Sequence, residues 1–202
     1  MRIEYKEGPE DLVRHAAPFP KIERVLQYGP RSVIEYLTST ETVKAIYKLT
    51  EEINLGEYHH IIVNASGGSA LSNMLSSMES IAPNFISVAV RRDENGSGIR
   101  IDSPLPSDLK GRVLIMEDIL DTGKTLKKLT DYCPHADIDV VVAVLKAGVE
   151  DQIPIHRYVN SLHVAIFAPN GHWYGGIGMD FGKEENNFGR TLTNVVAKRK
   201  SP

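Results

Sequence analysis

The sequence predicts an α/β fold built on a mainly parallel sheet, and two observations support this prediction. Short, nearly continuous apolar runs recur along the chain, as expected for strands that are buried on both faces. Segments with helical spacing of apolar residues alternate with these runs, which is typical of parallel sheets flanked by helices. The predicted strands are HIIVNA (60–65), FISVAV (85–90), GRVLIMED (111–118), IDVVVAVLKAG (138–148) and SLHVAIFAP (161–169).

Three helices are predicted between these strands. The first covers residues 39–56, begins at a cap provided by Ser39 or Thr40, and carries an apolar stripe of Val43, Ile46, Tyr47 and Ile53. The second covers residues 66–78, with Leu71, Met74, Leu75 and Met78 at helical spacing. The third begins at Thr122. Residues 1–37 contain several prolines and predict loops and short elements.

Composition restricts the classes of function. The chain has 202 residues, which suits a single domain, and a net charge of −3, which gives no basic field for nucleic acid. Its single cysteine, Cys133, excludes an internal disulfide framework. No apolar run approaches the roughly 20 residues of a membrane span, and the polar start is unlike a signal peptide. We therefore expect a cytoplasmic protein without a membrane or nucleic-acid partner.

Polar motifs follow the predicted strands at the points where the strands end. They are ASGG after the first strand, EDILDTGKT after the third, Lys146 after the fourth and APNGHWYGG after the fifth. In open α/β sheets, ligands bind beyond the carboxyl ends of the strands. The sequence therefore predicts one ligand site at this edge of the sheet.

The turn Asp121–Thr125 has the composition of an anion-binding cradle between a strand and a helix. Gly123 has no Cβ to hold a phosphate at a distance, and the threonines add hydroxyl donors. The turn is not a nucleotide P-loop, because Asp118 occupies the position where that motif requires glycine. An ordinary capped helix start fits these five residues equally well.

Two adjacent acids, Glu117 and Asp118, precede this turn and favour the ligand-binding interpretation. Neighbouring carboxylates repel one another, so their placement makes sense if they bind hydroxyl groups, a metal ion or a cationic transition state. Together with the cradle, they indicate a site for a sugar phosphate.

The segment VLIMEDILDTGKTL (113–126) resembles the signature of the type I phosphoribosyltransferases, which use phosphoribosyl pyrophosphate (PRPP). Its form is most similar to that of the hypoxanthine-guanine branch, and the resemblance extends with gaps over residues 59–197. It implies a twisted, Rossmann-like core with a small hood formed by the N- and C-terminal segments. Within a single domain of residues 1–202, it implies a core at 38–168, a base-binding hood segment at 169–202 and an N-terminal segment, 1–37, of unclear role.

The resemblance also implies roles for the residues that would bind PRPP. The turn formed by Asp121, Thr122, Gly123, Lys124 and Thr125 would hold the 5′-phosphate, and Asp121 would be the catalytic acid/base. Glu117 and Asp118 would face the ribose hydroxyls and help to place Mg²⁺. The residues that would meet pyrophosphate are Ser66, Gly67 and Gly68, within the segment from Asn64, and Arg190.

The same resemblance implies a purine site near the end of the chain. Lys146 would bind the exocyclic oxygen of a 6-oxopurine, Trp173 would stack on the base, and the backbone around Tyr174 would contact its edge. Asp180 would hold a second Mg²⁺ near pyrophosphate. The implied partners are PRPP and a purine base, and members of this family usually associate as dimers or tetramers.

Three functions remain open from the sequence. The first is transfer of ribose 5-phosphate from PRPP to hypoxanthine, guanine or xanthine, with release of pyrophosphate. The second is the same transfer to another base such as a pyrimidine, and the third is a non-catalytic sensor of PRPP or nucleotides. Ser66 replaces a lysine that the hypoxanthine-guanine branch usually carries, and the polar segment 91–111 has the composition of a lid without that branch's Ser-Tyr pair.

Overall fold

The computed structural model of this chain describes residues 2–4, 24–28, 31–77, 84–92, 98–106, 108–149, 154–179 and 195–199. The strands are β1 (Arg2–Glu4), β2 (Arg24–Tyr28), β3 (Arg31–Leu37), β4 (His60–Asn64), β5 (Phe85–Val88), β6 (Val90–Arg92), β7 (Ile99–Ile101), β8 (Lys110–Leu120), β9 (His135–Lys146), β10 (Ser161–Ala168), β11 (His172–Gly175) and β12 (Val195–Arg199). The α-helices are α1 (Ser39–Tyr47), α2 (Gly68–Ser76) and α3 (Lys124–Thr130).

The main sheet has the strand order β1-β10-β9-β8-β4-β5. The five strands from β10 to β5 run parallel to one another, and β1 pairs antiparallel with β10 at one edge. These five parallel strands are the five apolar runs that the sequence predicts. The predicted α/β class with a mainly parallel sheet is therefore confirmed.

Both faces of the sheet are covered, which explains why its strands are continuously apolar. On one face, Ile115 and Val142 pack with Leu126 and Leu129 of α3. On the other face, residues of β4, β8 and β9 pack with α1 and α2, including Ile46 and Leu71. Each face buries its own apolar cluster, so the carboxyl edge of the sheet remains available for polar side chains.

A second, four-stranded sheet has the order β11-β12-β3-β2 and is antiparallel throughout. Its strands come from the N- and C-terminal parts of the chain, as the predicted hood requires. Of the loops and short elements expected in residues 1–37, two short strands at 24–28 and 31–37 pair with each other, with Tyr28 opposite Arg31.

The first predicted helix is shorter than its sequence pattern suggests. It ends at Tyr47 and is followed by two 3₁₀ turns, Lys48–Glu51 and Leu55–Glu57. Ile46 and Ile53 of the predicted stripe are buried, but Val43 is 43% exposed and Tyr47 is 54% exposed. The buried face of α1 carries Thr42 and Ile46, so it coincides with only part of the predicted stripe. None of the described helices is long and apolar enough to cross a membrane.

The cap of α1 is Thr38 rather than Ser39 or Thr40. The Thr38 hydroxyl accepts a hydrogen bond from the Glu41 amide at 3.3 Å, and Glu41 Oε2 accepts one from the Thr38 amide at 2.9 Å. This reciprocal arrangement satisfies amides that a helix start otherwise leaves unpaired.

Replacing Thr38 with alanine is expected to lower the free energy of unfolding by about 1 kcal/mol, because the Glu41 amide loses its acceptor. Urea denaturation of the variant and the wild type measures the difference. Thr40→Ala changes another exposed threonine of the same turn and serves as the control. Equal losses in the two variants would contradict the assigned cap.

The predicted lid segment contains a two-stranded ribbon among its described residues. Strands β6 and β7 pair antiparallel, with Arg91 opposite Arg100. Asp102 forms ion pairs with both arginines, at 3.2 Å to Arg91 and 2.5 Å to Arg100. Ile99 and Ile101 pack against the apolar cluster beneath α3. Along its described length, the segment therefore packs against the core and does not form an isolated loop.

Candidate active site

A cavity of about 350 Å³ lies at the carboxyl edge of the main sheet. It is lined by Asn64, Gly98, Ile99, residues 117–126, Lys146, Trp173 and Tyr174. Chain order reverses here, because β4 pairs with β5 on one side and with β8 on the other. Such switch points open a crevice between loops that leave the sheet in opposite directions. The cavity is where the sequence predicts the ligand site.

Glu117 and Asp118 lie at the end of β8 and project to opposite faces of the sheet, as adjacent strand residues do. Glu117 is only 2% exposed. Its Oε2 accepts a hydrogen bond from Asn64 Nδ2 at 2.9 Å, whereas its buried Oε1 has no hydrogen-bond partner in the described part of the chain. Asp118 lies on the α2 side, against Gly67. The cavity thus contains one buried carboxylate oxygen with unused accepting capacity.

Burial raises the pKa of Glu117 to about 8, and the neighbouring Asp118 charge adds to the increase. The hydrogen bond from Asn64 acts in the opposite direction, because it favours the charged form. The protein thus keeps a carboxyl group where ionisation is unfavourable, and such perturbed groups concentrate at functional sites.

The raised pKa predicts that the unliganded wild type loses stability as pH rises from about 4.5 to about 8. Over this range the unfolded state releases the Glu117 proton and the folded state retains it, so stability falls by up to about 1.4 kcal/mol per pH unit. Glu117→Gln removes this term and is expected to be the more stable protein at pH 8. Thermal melts from pH 5 to pH 8 measure the difference, and the exposed control Glu51→Gln should follow the wild type.

The turn after β8 takes its shape from Gly123. This glycine has φ +62°, in the left-handed region, and α3 begins at the next residue, Lys124, rather than at the predicted Thr122. Residues with a Cβ rarely adopt this conformation, so glycine is required for the geometry as well as for close approach. All five residues of the turn Asp121–Thr125 line the cavity.

Lys146 ends β9 and is only 1% exposed. Its Nζ lies 2.8 Å from Asp121 Oδ1 and 5.4 Å from the centre of the Trp173 ring. The charge of Lys146 is therefore balanced by a carboxylate and faces an aromatic surface. Asp121 follows the end of β8, Lys146 ends β9 and Trp173 lies in β11. These three strands therefore bring three of the sequence-predicted residues together.

Trp173 and Tyr174 belong to β11, which lies at the edge of the second sheet in the described structure. The Tyr174 ring is buried, its hydroxyl donates to the Pro169 carbonyl at 2.8 Å, and burial raises its pKa. The Tyr36 ring of β3 packs edge-on against it, with ring centres 5.6 Å apart. Tyr174 thus anchors the strand, while the neighbouring Trp173 is 38% exposed at the cavity.

Only part of the segment Asn64–Gly68 lines the cavity. Asn64 lines it directly, whereas Ser66, Gly67 and Gly68 do not. A Cβ added to Gly67 would overlap the carboxylate of Asp118, and one added to Gly178 would lie 2.6 Å from the Gly67 carbonyl oxygen. These glycines therefore allow close packing among the segment, Asp118 and the turn after β11.

Two predicted residues, Asp180 and Arg190, lie outside the described residues. Two features of the cavity are not predicted from the sequence, namely its lining by Gly98 and Ile99 beside the β6–β7 ribbon and the contact of Asn64 with Glu117. The sequence signal that could have indicated this contact is the position of Asn64 at the end of a strand, directly before a predicted loop. Among the described residues, no three His, Cys, Asp or Glu side chains are grouped as ligands for a metal ion.

No protein-family model matches the chain, and no curated protein has a detectably similar sequence. Solved structures do match. The hypoxanthine phosphoribosyltransferase of Staphylococcus aureus is 19% identical, with a TM-score of 0.60 over 80% of this chain and 88% of that one.

Two further solved structures give the same result. The hypoxanthine phosphoribosyltransferase of Trypanosoma cruzi, in complex with the product IMP, is 18% identical, with a TM-score of 0.62 over 89% of this chain and 96% of that one. The hypoxanthine-guanine phosphoribosyltransferase of Bacillus anthracis, with HEPES in the active site, is 16% identical, with a TM-score of 0.61 over 81% and 95%. The chain therefore has the type I phosphoribosyltransferase fold, as the sequence resemblance predicts.

Proposed function

From this fold we propose that the chain is a pentosyltransferase that transfers ribose 5-phosphate from PRPP to a 6-oxopurine and releases pyrophosphate. Hypoxanthine, guanine and xanthine are the bases in question. The fold alone does not select a reaction, so the proposal depends on the chemistry of the cavity.

One observation supports the proposal above the others, namely the grouping of Asp121, Lys146 and Trp173 around one cavity. The buried Lys146 ammonium lies 2.8 Å from the Asp121 carboxylate and 5.4 Å from the centre of the Trp173 ring. This arrangement suits the binding of a flat base that carries an exocyclic oxygen. The indole offers a stacking surface, and the ammonium group offers a donor. The turn that ends at Thr125 lines the same cavity and suits a phosphate group.

The roles of the individual groups follow from this placement. Lys146 would donate to the oxygen at C6 of the purine, with the base stacked on Trp173. Glu117 Oε1, which has no partner in the described structure, would accept a hydrogen bond from a ribose hydroxyl. The turn Asp121–Thr125 would hold the 5′-phosphate, so C1 of the ribose would face the base.

In the transfer, N9 of the purine forms a bond to C1 of the ribose while the bond from C1 to the pyrophosphate oxygen breaks. The proton displaced from the purine ring would pass to Asp121, the general base nearest the base site. The ribose becomes positively charged as pyrophosphate departs, and the carboxylates of Glu117 and Asp118 would stabilise that charge.

Mg²⁺ is the metal ion that this reaction would use. The described residues offer carboxylate oxygens from Glu117 and Asp118, and oxygen donors are what this ion prefers. Because these two side chains project to opposite faces of the sheet, the ion would take most of its ligands from water and substrate phosphates, as Mg²⁺ usually does. When bound, the ion would neutralise charge on the departing pyrophosphate.

The remaining sequence-based assignments belong to this proposal. Asp180 would contribute to a second Mg²⁺, while Ser66, Gly67, Gly68 and Arg190 would contact pyrophosphate. Cytoplasmic location is proposed from the sequence composition, and assembly into a dimer or tetramer on the resemblance alone.

The experiment is a pyrophosphate-release assay with PRPP, Mg²⁺ and six bases in turn, namely hypoxanthine, guanine, xanthine, adenine, uracil and orotate. Turnover with a 6-oxopurine supports the proposal. Turnover with another base alone would overturn the assignment of Lys146, and binding of PRPP or nucleotide without turnover would indicate a sensor.

Lys146→Met, assayed in parallel, tests the base contact. It should raise KM for the 6-oxopurine by about tenfold or more, because a hydrogen bond from a charged donor is lost. Lys127→Met is the matched control, since Lys127 is an exposed lysine of α3 paired with Asp131 outside the cavity.

A further inference from the structure

The side chain of Asn64 joins two parts of the site that are distant in sequence. Its Nδ2 donates to Glu117 Oε2 at 2.9 Å, and its Oδ1 accepts a hydrogen bond from the Ser66 amide at 3.2 Å. Asn64 is 8% exposed and Glu117 is 2% exposed, so both partners are held away from bulk water. One amide therefore contacts the acid of β8 and the loop after β4 together.

The contact with Asn64 occupies only one of the two oxygens of the Glu117 carboxyl group. Oε2 is occupied by Asn64, whereas the buried Oε1 has no partner in the part of the chain that the structure describes. A buried carboxylate oxygen without a hydrogen bond lowers the stability of the protein. Such an atom is expected at a site where a bound ligand supplies the missing hydrogen bond. The amide thus fixes which of the two oxygens is available to a ligand.

We infer that Asn64 is a positioning residue that orients Glu117 Oε1 toward a ribose hydroxyl of PRPP and ties this orientation to the loop at Ser66. The inference rests on the proposed function for the identity of the ligand. Asn64 itself contacts neither reacting atom. Its effect passes through Glu117, and its second hydrogen bond holds the loop proposed to contact pyrophosphate in register with the ribose site.

The proximity of three groups explains why asparagine suits this position. An aspartate here would place a third carboxylate beside Glu117 and Asp118 and would have no donor for Oε2. A leucine would offer neither the donor nor the acceptor. Asparagine supplies both and adds no charge, so the two substitutions separate the two hydrogen bonds.

The test is calorimetric binding of PRPP with Mg²⁺, together with turnover, for Asn64→Leu, Asn64→Asp, Glu117→Met and the double variant Asn64→Leu/Glu117→Met. Asn64→Leu should weaken PRPP binding by about tenfold, because the hydrogen bond that orients Glu117 is lost. The double variant should bind no more weakly than Glu117→Met, since Asn64 has nothing left to orient. KM for PRPP should change more than KM for the base.

Asn64→Asp distinguishes the two contacts. It keeps an acceptor for the Ser66 amide but lacks the donor to Glu117, so it should lose PRPP affinity at least as much as Asn64→Leu. Retained affinity in Asn64→Asp would overturn the role assigned through Glu117. Ile62→Val, a small change in the same strand without a polar contact, controls for general weakening of β4.

The stability of the unliganded variants completes the test. Urea denaturation of the wild type, Asn64→Leu, Glu117→Met and the double variant should show a non-additive term for the pair, which establishes the contact independently of ligand. Additive losses of PRPP affinity in the double variant would overturn the inference and leave the proposed function intact. A wild type that binds no PRPP would overturn the proposed function, and the inference with it.

Discussion

Replacing Asp121 with asparagine is expected to reduce turnover by about 100-fold to 10,000-fold, the usual range for a lost general acid/base. Asparagine has nearly the same shape and still accepts a hydrogen bond from Lys146 Nζ, which lies 2.8 Å from Asp121 Oδ1. It cannot accept the purine proton. Because the cavity keeps its shape, KM should change much less than kcat, and steady-state kinetics with PRPP and a 6-oxopurine measure both.

Stability and a matched variant separate this effect from misfolding. Removing the Asp121 charge leaves the buried Lys146 with a neutral partner, so stability should also fall, and urea denaturation measures how far. Asp131→Asn makes the same change at an exposed carboxylate at the end of α3, paired with Lys127, and should keep wild-type turnover. An Asp121→Asn enzyme with near wild-type kcat would refute the catalytic assignment.

Gly67→Ala is expected to weaken PRPP binding by about 100-fold, comparable to the cost of misplacing a group in an active site by about 1 Å. The added methyl would overlap the Asp118 carboxylate, which accepts the Ile119 amide at 2.9 Å and therefore resists displacement. Overpacking of this kind also costs about 1–3 kcal/mol of stability. Calorimetry with PRPP and Mg²⁺ measures the affinity, and urea denaturation measures the stability.

The double variant Gly67→Ala/Asp118→Ala tests the cause. If the methyl acts by colliding with the Asp118 carboxylate, adding Gly67→Ala to Asp118→Ala should cost little further stability. A further loss as large as that of Gly67→Ala alone would instead place the collision in the backbone. Gly67→Ala with wild-type affinity would show that Asp118 has another resting position.

The main sheet and most of the cavity could be predicted because their signals are local. Each parallel strand is a single apolar run, and ten of the residues that line the cavity are consecutive, at positions 117–126. Lys146 and Trp173 could be placed only through the family resemblance. A lone lysine after a strand is usually solvated, and here its burial depends on packing that no short segment encodes.

What could not be predicted depends on contacts between distant segments. The Asn64–Glu117 hydrogen bond spans 53 positions, and the register of β4 beside β8 brings its partners together. The strands at 24–28 and 31–37 acquire their role from β12, which pairs with β3. Val43 and Tyr47 repeat at helical spacing yet remain exposed, because α1 buries the adjacent face that carries Thr42 and Ile46.

The second sheet has a consequence for the order in which the site is assembled during synthesis. Trp173 lies opposite Lys198 of β12, and β12 in turn pairs with β3. The position of Trp173 at the cavity therefore depends on residues 195–199. The turn at Asp121–Thr125 needs only strands that leave the ribosome earlier. We expect a nascent chain to form the proposed phosphate site first and the proposed base site last, with the edge of β3 unpaired until β12 emerges.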